Sequence, residues 1–288
     1  MSGATPPENA TLTGEPKNEK LSYSTKSGGR IAYITLNNPA KLNAIDKDMI
    51  MRFLDALHAA DRDKKVKVIV INSTGDRAFC AGWDLTMFKG TGQNSYKEAG
   101  DLLLTHGRDI SRTIYFSKKP VVAQIQGPAI GVGCYLSLAA DFRIVARKEG
   151  LFFQLPELQI NLPGATGPTV NSIAIMGLAR SKRMMLGCDK IGLDELDRWG
   201  VITKICEPGE LDVEVKKFCL NMVEKNPLLL YTQKAMCNIM GMTMMRPFYD
   251  LENEVADYAF AHLGTDLPED IDDFLRKMWS KYGQGSPF

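Results

Sequence analysis

Residues 120–146, PVVAQIQGPAIGVGCYLSLAADFRIVA, decide how this chain folds. The opening PVVAQIQ is apolar and β-branched and reads as a strand. Gly127, Gly131 and Gly133 then bend the chain into a helix of small residues that ends near Asp141, and FRIVA reads as the next strand. A strand, a helix and a strand in one short run require a crossover, so the strands pack largely parallel and the class is α/β.

The same alternation extends toward the N-terminus. Residues 30–37 (RIAYITLN) and 66–72 (VKVIVIN) read as strands, and between them Met49, Ile50, Phe53, Leu54 and Leu57 recur at helical spacing. Residues 1–20 are rich in Pro, Thr, Gly, Asn and Glu and read as a disordered tail. Beyond Ser172 the chain is mostly helical. Residues 194–200 read as a capped helix stopped by Gly200, and three or more helices with Met-rich faces follow from about residue 210. The expected organisation is therefore a tail (1–20), a spiral core (21–208) and a C-terminal helical region (209–288).

Composition excludes several functions. With 288 residues, 44% of them hydrophobic, the chain can bury a sizeable core. Lys plus Arg number 35 against 34 acidic residues, a net charge of +1, which gives no basic excess for a nucleic-acid backbone. The six cysteines form no Cys-x-x-Cys pair and the three histidines no ligand spacing, so reduced, buried thiols in a cytoplasmic protein are expected rather than a metal centre. No apolar run approaches the ~18 residues needed to cross a bilayer. The fourteen methionines read as gap-filling core and interface residues.

Two segments can carry chemistry: residues 79–85 (FCAGWDL) and 126–135 (QGPAIGVGCY). Each could aim backbone N–H groups at one oxygen, and the second opens a helix, whose first N–H groups are unpaired and whose N-terminus is the positive end of its dipole. Two converging donors would hold a thioester enolate in an oxyanion hole. Either segment alone is weak, because glycine-rich bends also serve as packing devices. Neither has the lysine of a phosphate-binding loop or the full dinucleotide fingerprint.

In order along the chain, RIAYITLNNPAKLNA (30–44), FCAGWDL (79–85), KKPVVAQIQGPAIGVGCYLSLAAD (118–141), FQLPELQINLPG (153–164) and LDELDRWGVITKI (193–205) resemble the motifs of the enoyl-CoA hydratase/isomerase (crotonase) superfamily. The resemblance runs from about residue 21 to the end. It implies a crotonase-like fold of repeated ββα units in a spiral, followed by a helical trimerisation region, assembled as a homotrimer or a dimer of trimers. It implies an acyl-CoA thioester substrate and no cofactor beyond the CoA that the substrate carries, with no nucleic-acid or membrane partner.

The resemblance also assigns residues. It makes the N–H groups of Trp83 and Val132 the oxyanion pair, although the family usually has glycine at the second, where the valine Cβ narrows the backbone choices and intrudes on the pocket. Lys41, Leu42, Ala81, Asp84 and Lys277 fall at positions beside CoA. Glu157 matches the distal glutamate, and its apolar surroundings would raise its pKa toward a useful range. Tyr135 stands where hydratases carry their other glutamate. One glutamate favours isomerase-like single-base chemistry slightly over hydration, with hydrolysis, decarboxylation or a non-catalytic thioester-binding scaffold as alternatives. Gln159 or Asn161 could hold a water, and Trp83, Phe88, Tyr135 and Phe152 suggest an aromatic-lined pocket.

Overall fold

The computed structural model describes residues 19–88, 100–164 and 167–262. Most of the expected tail, Lys277 and the terminal helix that would carry it, and the side chain of Phe88 lie outside the described residues.

The strands are β1 (Leu21–Lys26), β2 (Ile31–Leu36), β3 (Val68–Ser73), β4 (Val121–Ile125), β5 (Ala129–Ile130), β6 (Phe142–Ala146), β7 (Phe152–Gln154), β8 (Ile191–Gly192) and β9 (Lys204–Cys206). The helices are α1 (Lys47–Arg62), α2 (Arg108–Phe116), α3 (Val132–Ala139), α4 (Pro168–Met176), α5 (Leu178–Leu186), α6 (Leu193–Arg198), α7 (Leu211–Val223) and α8 (Pro227–His262).

A six-stranded sheet has the order β1-β2-β3-β4-β6-β9 and is parallel except for β1, which pairs antiparallel with β2. Its strands are continuous apolar runs because both faces are covered. Along β3, Val68 and Val70 join Val215 and Cys219 of α7 on one side, while Ile69 and Ile71 join Phe53 and Leu57 of α1 on the other. The helix spacing read between β2 and β3 is α1. Asp46 caps it by accepting the Met49 N–H at 3.0 Å, and Met49, Ile50, Phe53, Leu54 and Leu57 are all buried. Each of those side chains contributes about 1.5–3 kcal/mol by leaving water.

The second sheet, β5-β7-β8, explains how a spiral arises. After two strands of the large sheet the chain steps into this smaller layer: β4 leads to β5, and β6 leads to β7. Following β3, Cys80 forms a parallel bridge with Ala129 of β5, and following β2, Ile45 forms one with Trp83. Four successive turns therefore stack edge to edge. The stacked edges bring the segments around Trp83 and Val132 together.

One detail differs from the sequence reading. The residue before α6 is Gly192, and Asp194 sits inside its first turn without capping it. Of the helices expected after residue 210, the described residues show α7 and α8, the second continuing through Gly241 and Pro247. No helix among the described residues is long and apolar enough to cross a membrane.

Candidate active site

The site forms where the second and third turns of the spiral touch. Ile45 donates to the Gly82 carbonyl at 2.9 Å and accepts from Asp84 at 2.8 Å. In such a parallel bridge the intervening residue directs its own N–H away from the partner, so the Trp83 N–H faces the other side. Val132 is the first residue of α3, where an N–H has no acceptor within its helix. Among the described residues neither N–H has a backbone acceptor.

The peptide units bearing these two N–H groups lie side by side. Gly131 has φ of 52°, and a Cβ built on it would stand 3.6 Å from the Gly82 Cα and 3.3 Å from Glu157 Oε1. Only glycine fits there without strain. The left-handed conformation falls on Gly131 rather than on Val132, so valine costs nothing in backbone terms, and its side chain packs into the core. This removes the expected conflict at position 132.

Glu157 opens a 3-10 turn, Glu157–Ile160, directly after Pro156. The Leu162 N–H returns to the Glu157 carbonyl at 2.9 Å and ties the turn down. The Glu157 side chain is half-buried, but its carboxyl end lies deep among protein atoms. Burial raises its pKa, and the hydrogen bond from the Tyr135 hydroxyl to Oε1 offsets part of that rise. Tyr135 is almost fully buried on α3, and burial together with the Glu157 charge holds its pKa well above 10.0. Tyr135 is therefore a hydrogen-bond donor to the carboxylate and not a base.

A buried arginine fixes α3. The Arg143 guanidinium donates to the carbonyls of Ser137 at 3.0 Å and Ala140 at 2.6 Å, at the C-terminal end of the helix, and to that of Val201, after α6, at 2.5 Å.

The residues expected beside CoA also assemble. Lys41 Nζ bonds Asp84 Oδ2 at 2.6 Å, and the Ala81 N–H donates to the Leu42 carbonyl at 3.0 Å. Lys41 and the two Thr86 hydrogen bonds lower the Asp84 carboxyl to about 2, so it is an ion and not a proton donor near neutrality. Lys277 cannot be placed with them, because it lies outside the described residues.

Other candidates lie elsewhere. Gln159 and Asn161 are exposed on the turn after Glu157. Phe152 packs under the Lys190 ammonium, 4.8 Å from its ring centroid, and lines a 640 Å³ surface cavity with Arg147, Lys148 and Asp194. Cys80 and Cys134 are fully buried, and burial pushes the Cys80 thiol up to about 12 and the Cys134 thiol well above its ordinary value. Neither supplies a thiolate nucleophile.

One buried carboxylate was not anticipated. Glu252 of α8 accepts the Thr169 N–H of α4 at 2.9 Å. Glu252, Ala256 and Phe260 recur at helical spacing and are all buried, so the signal was a carboxylate on the apolar stripe of its helix.

The comparisons with known proteins agree with this geometry. The family model described as enoyl-CoA hydratase/isomerase matches residues 26–284. The chain belongs to the enoyl-CoA hydratase/isomerase family. It is 30% identical over 248 residues to the crotonyl-CoA hydratase of Syntrophomonas wolfei, covering 86% of this chain and 92% of that one. It is also 30% identical over 207 residues to the carnitinyl-CoA dehydratase of Escherichia coli, covering 72% and 76%. An enoyl-CoA hydratase/isomerase of Xanthobacter autotrophicus Py2 superposes with a TM-score of 0.76 at 25% identity, covering 92% of this chain and 94% of that one. The crotonase fold read from the motifs is thus the fold observed, and this enoyl-CoA hydratase/isomerase-type chain is an acyl-CoA enzyme.

Proposed function

We propose that the enzyme forms and quenches an acyl-CoA enolate, with Glu157 moving the proton at the α carbon and the N–H groups of Trp83 and Val132 holding the thioester oxygen. The observation that carries this reading is the junction of Gly82, Gly131 and the Glu157 carboxylate. It sets a raised-pKa carboxyl beside two adjacent peptide units whose N–H groups have no backbone acceptor among the described residues. Negative charge growing on a thioester oxygen suits such fixed donors, which need no reorganisation as the reaction proceeds.

Tyr135 holds one oxygen of Glu157 and leaves the other to face substrate. Lys41 and Asp84, with the Leu42–Ala81 backbone pair, form the side on which the CoA part would lie. CoA enters as part of the substrate, and these steps call on no additional group. The same pair of N–H groups would serve the dienolate formed in isomerising a 3-enoyl thioester and the 3-hydroxy enolate formed in hydrating a 2-enoyl thioester. Isomerisation needs only Glu157, while the hydratase and dehydratase names of the relatives favour water chemistry.

The test is mass spectrometry of a panel of 2-enoyl, 3-enoyl and cyclic acyl-CoAs in deuterated water, for the wild type and Glu157→Gln. The wild type is expected to introduce deuterium at the α carbon. Glu157→Gln should fold, bind CoA esters and lose at least about 100-fold in exchange. A variant that exchanges at the wild-type rate would move the proton transfer to another group.

A further inference from the structure

Between β4 and β5, on the segment that leads to Val132, the side-chain amide of Gln126 reaches across to the segment that leads to Trp83. Its Nε2 lies 2.7 Å from Ser73 Oγ, 3.1 Å from the Gly75 carbonyl and 3.3 Å from the carbonyls of Ser73 and Ala78. A second amide meets the same segment from the turn of the spiral on the other side. Asn43 Nδ2 donates to the carbonyls of Thr74 at 2.9 Å and Ala78 at 3.2 Å, while its Oδ1 accepts the Asn38 N–H at 2.9 Å. Carbonyls only accept, so the nitrogen of each amide must face this segment.

The two amides converge on Ala78. It is buried, and among the described residues no backbone N–H donates to its carbonyl, so Asn43 and Gln126 are its donors. A buried carbonyl stripped of its donors is costly, and the chain around it would shift to find others. The approach is also tight. A Cβ built on Gly127, next to Gln126, would stand 2.9 Å from the Ala78 Cα. From Ala78 the backbone runs directly into the site. The N–H groups of Phe79 and Cys80 go to the Pro128 carbonyl at 3.0 and 3.4 Å, and the Cys80 carbonyl accepts the Ile130 N–H at 2.9 Å. Ile45 then holds Gly82 and Asp84, which leaves the Trp83 N–H turned toward the site.

We infer that Gln126 is a positioning residue of this active site: its amide, braced by Asn43, sets the separation of the Trp83 and Val132 N–H groups and so the polarisation of the thioester carbonyl. The inference rests on the enolate reading above, in which those two groups hold the thioester oxygen. Gln126 acts through the backbone and moves no proton. Its segment carries one donor, and the segment it grips carries the other, so its bonds fix the two relative to each other. Such fixed donors are worth most where charge is growing, and a small displacement of one is felt in the transition state before it is felt in binding. Capture of the CoA part falls to the Lys41–Asp84 side, which Gln126 does not touch.

The experiment compares the full-length wild type, Gln126→Met and Asn43→Asp in two ways. One is steady-state kinetics on the enoyl-CoA that the wild type turns over fastest. The other is infrared spectroscopy of bound butanoyl-CoA, isotopically labelled at its thioester carbonyl carbon. Methionine keeps the length of Gln126 and removes its donors. Aspartate tolerates the φ of 57° at Asn43 and keeps an acceptor for the Asn38 N–H, but offers no amide hydrogen to Thr74 or Ala78. The wild type is expected to lower the carbonyl stretching frequency of the bound thioester below that of the free one. Gln126→Met should lose about tenfold or more in kcat with KM within a few-fold of wild type, and its carbonyl band should move back toward the free value. Asn43→Asp should show the same split. A folded Gln126→Met with wild-type kcat, or with a reduced kcat and an unmoved carbonyl band, would overturn the assignment, because bonds that serve only stability leave the carbonyl untouched. A wild type that leaves the carbonyl frequency unchanged would overturn the oxyanion reading itself, and that result is told apart because it needs no variant. If Gln126→Met does not fold, Asn43→Asp decides by the same two readouts.

Discussion

The Tyr135 hydroxyl, on a helix of the spiral core, donates its hydrogen bond to Glu157 Oε1 on the turn that follows β7. Burial raises the pKa of Glu157, and this bond offsets part of the rise. The two residues thus act as one unit in which tyrosine, unable to ionise itself, sets the proton affinity of the carboxylate.

Removing that donor has a definite sign. Tyr135→Phe keeps the ring and should raise the Glu157 pKa further, because the bond that lowers it is gone. The ionised carboxylate is the base, so activity is present above its pKa and lost as pH falls through it. The acid limb of kcat/KM is expected to move to higher pH. The displacement of the limb should be about one pH unit, the worth of one hydrogen bond to a charged group. A pH–rate profile checks this, and an unmoved limb would show that the bond does not tune Glu157.

The Lys41–Asp84 pair predicts an acid-dependent stability. Asp84 is lowered from 3.8 to about 2, first by Lys41 and then by Thr86. A carboxyl lowered in the folded state contributes stability that is complete above the unfolded value. That contribution disappears as pH falls between these two values. Lys41→Ala should shrink this loss without abolishing it, since the Thr86 bonds remain. At neutral pH the cost should stay below about 1 kcal/mol, because the lysine side chain is 52% exposed. Thermal unfolding of both proteins across that acid range measures the difference. The KM for acyl-CoA should rise more than kcat falls.

How much of this was legible beforehand depended on the length of each signal. α1 and the strands β2, β3, β4 and β6 announce themselves because five or more residues share one period and one burial pattern. β5 and β8 have two residues each, too few to show any period, so the small sheet was invisible although it aligns the site. Gly241 and Pro247 are ordinarily breakers, so the unbroken length of α8 could not be read from the sequence. Tyr135 and Glu157 were legible by motif position, but their hydrogen bond was not. Glu252 is far from both in sequence, and only folding carries it to the start of α4.

Gly133 offers a test of how closely the two chain segments must approach. A Cβ at this position would lie 2.5 Å from the Cys80 carbonyl oxygen and 2.7 Å from its Cβ, and a backbone oxygen cannot swing aside as a side chain can. Gly133→Ala should therefore push α3 away from the segment that leads to Trp83. The expected cost is about 1–3 kcal/mol of stability, read by urea denaturation. A larger proportional fall in kcat should accompany it, because the N–H groups of Trp83 and Val132 would separate. Unchanged activity in a destabilised variant would mean that the two segments need not keep this spacing for turnover.

Arg143 supports the same helix from its other end, and its replacement by lysine separates charge from geometry. The guanidinium reaches three buried carbonyls at once, at 2.5–3.0 Å, and burial lowers its pKa only to about 10, so it stays charged. A lysine ammonium lacks the planar fork and would leave at least one of those acceptors unpaired, a cost of about 1–3 kcal/mol. It also starts from a pKa near ~10.4, so the same burial would bring its folded value toward the physiological range. A lysine lowered in the folded state binds fewer protons there than when unfolded, so the variant should gain stability as pH rises. Arg143→Lys is thus expected to unfold at lower urea than wild type at neutral pH and to recover part of the deficit in alkaline buffer. It should also lose kcat, because α3 carries both Val132 and Tyr135. A deficit that does not change with pH would show that the lost fork geometry, and not the buried charge, accounts for the whole effect.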